Sequence, residues 1–218
     1  MTYISTSLLS VEENAIQTMY NLETAKTDYF HIDVMDGKFV PKNTEERMYE
    51  YTTTIKQISN LPIDVHFMTE NVKEHIDRYL AFEPSIITIH YEACKDDEEV
   101  FELINYIKKN NVKAGISVKP STDIAKIKKF LPHLFLVLVM TVEPGAGGQA
   151  LIPETLDKVK KLKQYIAESN LDTYIQVDGG INLDTAKSAK EAGAEILVAG
   201  SAIVNSDNFV EVIAELKK

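Results

Sequence analysis

The sequence predicts a single domain of the α/β class, a closed (β/α)8 or TIM barrel spanning residues 1–218. Two observations carry this prediction. Short apolar runs alternate with longer amphipathic stretches along the whole chain, without a linker, a low-complexity tract or a change in composition. Residues 8–12, at the end of the first predicted strand and directly after it, contain no glycine, whereas a glycine-rich turn usually marks an open doubly wound sheet at this point.

The predicted strands are short runs rich in isoleucine and valine. They cover residues 3–9, 29–34, 63–68, 86–90, 112–118, 134–141, 173–177 and 196–199. The second run alternates apolar and polar residues with the period of two that is typical of a strand. One of its faces therefore carries His31, Asp33 and Met35, and a turn is expected to begin at Asp36 and Gly37.

Amphipathic helices are predicted between the strands. The clearest cover residues 98–109, 153–168, 184–192 and 208–216. In the second of these, apolar residues recur at helical spacing and lysines cover the remaining face. Residues typical of helix starts occur at 121–123, 152–154 and 182–184, so a helix is expected after each.

Composition excludes several classes of partner and site. Lysine and arginine total 23 against 33 aspartates and glutamates, a formal charge of −10. Because no basic stripe interleaved with aromatic residues is present, nucleic acid is not an expected ligand, and the acidic balance disfavours anionic membrane surfaces. The single cysteine, Cys94, rules out an intrachain disulfide. With the first strand beginning at Tyr3 and no run of membrane-spanning length, we expect a cytoplasmic protein without a signal peptide.

Polar and small residues stand near the ends of most predicted strands. Because the active site of a (β/α)8 barrel lies at the C-terminal ends of its strands, these residues are expected to converge on one mouth. Singly, each is explained by contact with loop backbone, but together they indicate a site. They are Ser7, His31, Asp33, His66, His90, Met140, Thr141, Asp178, Gly200 and Ser201.

Four of these residues form a plausible ligand set for one divalent metal. His31, Asp33, His66 and Asp178 offer two imidazoles and two carboxylates, which suit Zn²⁺, Mn²⁺, Fe²⁺ or Co²⁺. A metal would also relieve the repulsion between two carboxylates gathered in one apolar mouth. The alternative is a buried network of histidine and aspartate without a metal.

Two of the four are also candidates for proton transfer. Asp33 and Asp178 end strands two and seven, so they are expected on roughly opposite walls of the mouth. A flat substrate held between them would lose a proton from one face and gain one on the other, which inverts the carbon. The metal would polarise a neighbouring carbonyl and stabilise the enediolate. The hypothesis is an epimerase with Asp33 and Asp178 as its proton carriers.

Methionines and glycines complete the predicted site. Met35, Met68 and Met140 stand at strand ends, where they serve either as core filler or as a wall that excludes water. Glycines recur in three consecutive loops after strands six, seven and eight, at 143–149, 178–180 and 199–202. Any one of them can be an ordinary turn, but the three together favour a cradle for a phosphate group.

The motifs resemble those of the ribulose-phosphate 3-epimerase family, nearly end to end. They occupy residues 7–10, 31–37, 39–41, 64–66, 139–142, 144–145, 147–149, 177–182 and 198–201. The resemblance implies a (β/α)8 barrel that interconverts ribulose 5-phosphate and xylulose 5-phosphate in the pentose phosphate pathway. It also implies a homo-oligomer, either a dimer or a larger assembly such as a hexamer.

By match to the family motifs, the resemblance assigns roles to individual residues. It implies that His31, Asp33, His66 and Asp178 hold the metal and that Asp33 and Asp178 are the acid–base pair. The substrate would contact Ser7, His66 and the methionines, with its phosphate on Gly179, Gly180, Gly200 and Ser201. The loop of Gly145, Ala146, Gly147 and Gly148 would close over it.

The chain also departs from the usual family pattern. Thr6, Lys38, Lys119 and Ala146 replace a proline, a histidine, an asparagine and a phenylalanine, and residues 42–47 are unusually charged. These changes leave the sugar length open, so a D-allulose-6-phosphate 3-epimerase acting on a hexulose phosphate is an alternative. A sugar-phosphate-binding barrel without activity is another. An orotidine-monophosphate-type decarboxylase is disfavoured, because no lysine follows His31 before Lys38.

Overall fold

The computed structural model describes residues 2–218 and contains a closed barrel of eight parallel strands. Each strand pairs with the next along the chain, and the last pairs with the first. The strands are β1 (Tyr3–Ser7), β2 (Tyr29–Met35), β3 (Ile63–Met68), β4 (Ile86–His90), β5 (Lys113–Val118), β6 (Leu136–Met140), β7 (Tyr174–Asp178) and β8 (Ile196–Ala199). The predicted (β/α)8 fold is therefore confirmed.

Helices cover the outside of the barrel. They are α1 (Ala15–Thr24), α2 (Glu45–Ile58), α3 (Val72–Leu80), α4 (Asp97–Lys109), α5 (Glu154–Glu168), α6 (Leu183–Ala192), α7 (Ser201–Val204) and α8 (Phe209–Lys217). The asparagine at 182 starts α6 with a capping box, as its position before the helix predicted. Among residues 2–218, no helix combines the length and the apolar character needed to cross a membrane.

One predicted helix is wrong. The start signal at residues 121–123 leads into two 3-10 segments, Ile124–Lys126 and Lys128–His133, where an α-helix was expected. Asp123 does cap the first segment by accepting a hydrogen bond from the Ala125 backbone N–H. Pro132 lies inside the second segment, and because it lacks an N–H and its ring clashes with the preceding turn, an α-helix cannot run through it.

The strands have two different faces. The apolar residues of β2, Phe30, Ile32 and Val34, belong to the large core between the barrel and its helices. His31 and Asp33 lie on the other face and contact interior residues of neighbouring strands. The period of two therefore separates a hydrophobic outer core from a barrel interior that is polar toward its C-terminal end. The strand register extends this pattern to β3: Asp33 pairs with His66, so both side chains lie on the interior face.

Candidate active site

A cavity of about 290 Å³ opens at the C-terminal ends of the strands. Its lining includes every residue that the sequence predicted for substrate binding apart from His66, which is fully buried beneath it. Those residues are Ser7, Met35, Met68, Met140, Gly145, Ala146, Gly147, Gly148, Gly179, Gly180, Gly200 and Ser201. Both proposed proton carriers, Asp33 and Asp178, also reach the cavity.

The four predicted metal ligands meet below this cavity. His31, Asp33, His66 and Asp178 each present one donor atom, and these four atoms lie within 4.8 Å of one another. Asp33 Oδ1 lies 3.3 Å from His31 Nε2 and 3.4 Å from His66 Nδ1. Asp178 Oδ2 lies 3.9 Å and 3.5 Å from the same two nitrogens. β2, β3 and β7 thus bring two imidazoles and two carboxylates to a common centre.

Whether these residues suit a metal can be judged from the histidine nitrogens that face the carboxylates. His31 Nε2 and His66 Nδ1 are buried and have no hydrogen-bond partner among the described residues, although both face the carboxylates. Buried polar atoms are rarely left without a partner unless they have another role. Two imidazole nitrogens and two carboxylate oxygens directed at one point are a donor set that binds divalent transition metals. The cluster therefore fits one divalent metal.

The charges within the cluster favour a bound cation. Burial alone would lower the pKa of His31, but the nearby charges of Asp33 and Asp64 outweigh burial and raise it well above its ordinary value. Burial would raise the pKa of Asp33, yet the histidines His31 and His66 lower it. The carboxylates of Asp33 and Asp64 therefore remain ionised and create a negative environment that holds either protons on the imidazoles or a metal ion.

Asp64 orients His31, and sequence reasoning assigned it no role. The buried Oδ2 of Asp64 accepts hydrogen bonds from His31 Nδ1 at 2.8 Å, Ser5 Oγ at 2.8 Å and Gln176 Nε2 at 2.6 Å. Because its Nδ1 proton is donated to Asp64, the neutral ring of His31 directs the lone pair of Nε2 at the cluster, where a metal can take it. Asp64 stands two residues before His66, so the strand period was a signal that could have identified it.

Asp33 is held from both its side chain and its backbone. Ser7 Oγ donates a hydrogen bond of 2.6 Å to Asp33 Oδ2, which leaves Oδ1 facing the histidines. The hydroxyl of Thr44 donates to the Asp33 carbonyl oxygen and accepts from the Met35 N–H. Ser7 was predicted as a substrate contact, which stays a prediction; the structure places it in the cavity lining and in a hydrogen bond that positions Asp33.

His90 and Glu92 lie behind His66. His66 Nε2 is 3.0 Å from His90 Nε2, and His90 Nδ1 is 3.0 Å from Glu92 Oε2. Burial lowers the pKa of His90 to about 4. Burial would raise the pKa of Glu92, but its contacts with His90, Thr122 and the Lys119 N–H lower it to about 2. Sequence reasoning placed His90 at the mouth but missed Glu92.

Glycines shape the far wall of the cavity. Gly179 and Gly180 follow β7 with φ values of +119° and +67°, a conformation that L side chains rarely adopt. The side chain of Gln149 donates hydrogen bonds to the carbonyl oxygens of Glu143 and Ala146, which folds the loop after β6 back on itself. The three glycine loops predicted from the sequence therefore border one cavity.

The methionines form part of the same wall. Met35 and Met68 pack with Leu9 and Val40 into a small hydrophobic cluster at the mouth, with Phe39 against it. Met140 belongs to a second cluster inside the barrel and reaches the cavity from β6. The site therefore has a polar floor and an apolar side, which suits a reaction that must be kept from water.

Similarity to known proteins agrees with this arrangement. A family model described as "Ribulose-phosphate 3 epimerase family" matches residues 3–204. The ribulose-phosphate 3-epimerase of Methanocaldococcus jannaschii is 39% identical over 219 residues, covering 100% of this chain and 91% of that protein. The Bacillus subtilis protein of the same name is 36% identical, with coverage of 100% and 99%. The solved structure of KGPDC from Streptococcus mutans shares the fold, with a TM-score of 0.72 at 13% identity over 100% of this chain and 96% of that one.

Proposed function

The chain belongs to the ribulose-phosphate 3-epimerase family, and from that premise we propose that it inverts C3 of D-ribulose 5-phosphate to give D-xylulose 5-phosphate. The observation that carries this proposal is the meeting of Asp33 and Asp178 with two histidines at the floor of a cavity bordered by glycine loops. A small sugar phosphate is the expected substrate. The phosphate would bind at Gly179, Gly180, Gly200 and Ser201, which line the same cavity as the methionines.

Asp33 and Asp178 would carry the proton. One carboxylate takes the proton from C3, the electron pair of the C–H bond moves toward the C2 carbonyl oxygen, and a planar enediolate results. The other carboxyl group, which is protonated when the turnover begins, then delivers its proton to C3 from the opposite face, and the electron pair returns to form the new C–H bond. The roles exchange in the reverse direction. Positioned acid–base groups of this kind contribute about 10²- to 10⁴-fold to a rate.

His31, Asp33, His66 and Asp178 would hold one divalent metal. When bound, such an ion supplies Lewis-acid polarisation of the ketose carbonyl. Asp64 would keep the Nε2 lone pair of His31 directed at the site, and Ser7 would hold Asp33 in the orientation that proton transfer needs. Met35, Met68 and Met140 would exclude water from the face of the enediolate.

A coupled assay on protein purified without chelator tests the proposal. We expect about one divalent metal per chain by elemental analysis, conversion of ribulose 5-phosphate, and a lower kcat/KM on D-allulose 6-phosphate. Metal-free protein, prepared with a chelator, should lose turnover and recover it when the ion is restored. If the protein binds metal but prefers the hexulose phosphate, the proposed substrate is wrong and D-allulose 6-phosphate replaces it. If neither sugar is turned over, the proposed activity is wrong and a sugar-phosphate-binding barrel without activity remains.

A further inference from the structure

A line of three hydrogen-bonded side chains begins at His66, one of the four predicted metal ligands, and ends at Glu92, after β4. His66 contacts His90 through their Nε2 atoms, and His90 contacts Glu92 through Nδ1. The two imidazoles are fully buried, and the Glu92 side chain is 18% exposed. The ring of Phe39 packs on His90 with centroids 4.9 Å apart, and Lys119 Nζ lies 4.1 Å from the Phe39 centroid. The line is therefore enclosed along its length.

The contacts of Glu92 determine the direction of its hydrogen bonds. Its Oε1 accepts from the Lys119 backbone N–H at 2.8 Å and from the Thr122 hydroxyl. A carboxylate can only accept, so Glu92 Oε2 takes the proton of His90 Nδ1. His90 Nε2 then carries a lone pair and accepts from His66 Nε2. In the neutral ring of His66, Nδ1 is therefore the nitrogen that carries no proton, and it lies 3.4 Å from Asp33 Oδ1 and 3.5 Å from Asp178 Oδ2.

The two histidines of the cluster are thus supported in different ways. His31 donates its Nδ1 proton directly to Asp64 and presents Nε2. His66 presents the opposite nitrogen, Nδ1, and reaches its carboxylate only through a second imidazole. Partners that orient a metal-binding histidine in this way also increase its basicity as a ligand.

We propose that Glu92 is a positioning residue that, through His90, keeps His66 in the tautomer able to bind metal. This inference rests on the proposed function, since it assumes that His66 is a metal ligand. Loss of such outer partners typically weakens metal affinity by about 10- to 100-fold. Glu92 is not among the residues that line the substrate cavity, so its effect should be on metal affinity first and on turnover only through metal occupancy.

Glu92→Gln is the informative variant because the surroundings dictate how the amide will lie. The Lys119 N–H can only donate, so the glutamine oxygen must face it, and the NH₂ group then faces His90 Nδ1. That arrangement reverses the direction of the hydrogen bonds. His90 then accepts at Nδ1 and donates from Nε2, so the proton of the neutral His66 ring must lie on Nδ1. The variant therefore keeps the shape of the side chain while placing a proton where the metal should bind.

The test is Zn²⁺ affinity, measured by competition with a chromophoric chelator on the full-length protein. Glu92→Gln should bind about 10- to 100-fold more weakly than the wild type. Glu99→Gln is the matched control, because Glu99 accepts a hydrogen bond from the Lys95 backbone N–H in the same segment and, among the described residues, makes no hydrogen bond to a histidine; its affinity should be unchanged.

A rescue experiment separates positioning from general damage. Glutamine at position 90 can accept from His66 Nε2 with its own amide oxygen, so His90→Gln should bind Zn²⁺ much as the wild type does. The double variant His90→Gln with Glu92→Gln should then regain the affinity that Glu92→Gln loses. If Glu92→Gln does not fold, His90→Gln is compared with His90→Leu. Leucine cannot accept a hydrogen bond from His66 Nε2, so only the leucine variant should lose Zn²⁺ affinity.

The outcomes distinguish the inference from the proposed function. Wild-type protein that neither binds Zn²⁺ nor epimerises the sugar would overturn both. Wild-type protein that binds metal and turns over, together with an unchanged affinity in Glu92→Gln, would overturn the role of Glu92 alone. A loss that the double variant does not rescue would also overturn it, because the effect would then not pass through His90.

Discussion

Gly180 is the residue of the mouth where a side chain is least compatible with the surrounding backbone. A Cβ atom there would lie 2.3 Å from the Leu151 nitrogen and 2.9 Å from the Gln149 carbonyl oxygen. Gly148, in the neighbouring loop, has a similar φ of +73°, but a Cβ atom at that position would have no described atom within 4 Å. Gly148 is therefore required only for its backbone conformation, whereas Gly180 is required both for its conformation and for the close approach of another backbone segment.

Gly180→Ala should destabilise the protein more than Gly148→Ala does. Both substitutions carry the cost of a left-handed backbone, roughly 1–2 kcal/mol. Gly180→Ala should cost about 1–3 kcal/mol more, because two backbone segments must move apart. It should also raise KM, since the displaced segments border the proposed phosphate site. Urea unfolding of both variants measures the difference, and equal losses would show that the close approach at Gly180 has no energetic weight.

Single residues also show how far the sequence could predict the site. His31 and Asp33 could be assigned to one face from the strand period alone, and parallel strands bring the ends of β2, β3 and β7 to the same mouth. The contact of Asp64 with Gln176 joins positions 112 apart in the chain. It depends on the register and closure of the barrel, which local pattern does not specify. Glu92 was missed for the same reason, because its donors Lys119 and Thr122 come from a different loop.

At the scale of elements, Asp36 ties together the loops that follow β2 and β3. Its Oδ1 accepts from the backbone N–H groups of Lys38 and Phe39 at 2.8 and 2.9 Å, and its Oδ2 accepts from the Glu70 N–H at 2.7 Å. Burial would raise the pKa of Asp36, but these three donors lower it below its ordinary value. The turn predicted at Asp36 and Gly37 is therefore also a bridge between two loops at the C-terminal ends of the strands.

Asp36→Asn should destabilise the protein in a pH-dependent way. A carboxylate whose pKa is lowered by folding contributes stability that is fully present above its unfolded pKa of about 4 and lost as the pH falls through its folded pKa. The free energy of unfolding, measured by urea denaturation, should be about 1 kcal/mol higher for the wild type than for the variant at neutral pH. The gap should shrink below about pH 4. Asp172→Asn is the control and should show no gap at any pH, because Asp172 is exposed in the loop before β7 and makes no hydrogen bond or ion pair among the described residues. A gap that persists unchanged into acid would contradict the role of the charge.

The connections between strands were harder to predict than the strands. The interval after β5 begins with good helix-start residues, yet it forms two 3-10 segments, and Pro132 in the second disfavours an α-helix there despite the local start signal. β1 also ends at Ser7, two residues before the predicted end, because the Ser7 hydroxyl accepts a hydrogen bond from the Leu9 N–H and turns the chain. The pairing of β1 with β2, in which Ser7 stands opposite His31, places Ser7 beside Asp33.

At the scale of the whole molecule, closure of the barrel explains how an acidic chain can offer a site for an anionic substrate. The formal charge of −10 repels a sugar phosphate at long range. The glycine loops after β6, β7 and β8 border the same cavity as the carboxylates, so binding would depend on local backbone donors. A homo-oligomer, dimer or hexamer, and a cytoplasmic location stay predictions from the family resemblance and the sequence.

The central claim is that Asp33 and Asp178 work on opposite faces of one carbon. Incubation in D₂O tests it directly, with deuterium at C3 followed by mass spectrometry and NMR. Metal-loaded wild-type protein should form xylulose 5-phosphate that carries deuterium at C3. Asp33→Asn and Asp178→Asn, each checked for bound metal, should lose epimerisation, and each should retain C3 exchange with only one epimer, the opposite one in the two variants. Epimerisation without deuterium at C3, or near-normal turnover in either variant, would contradict this claim.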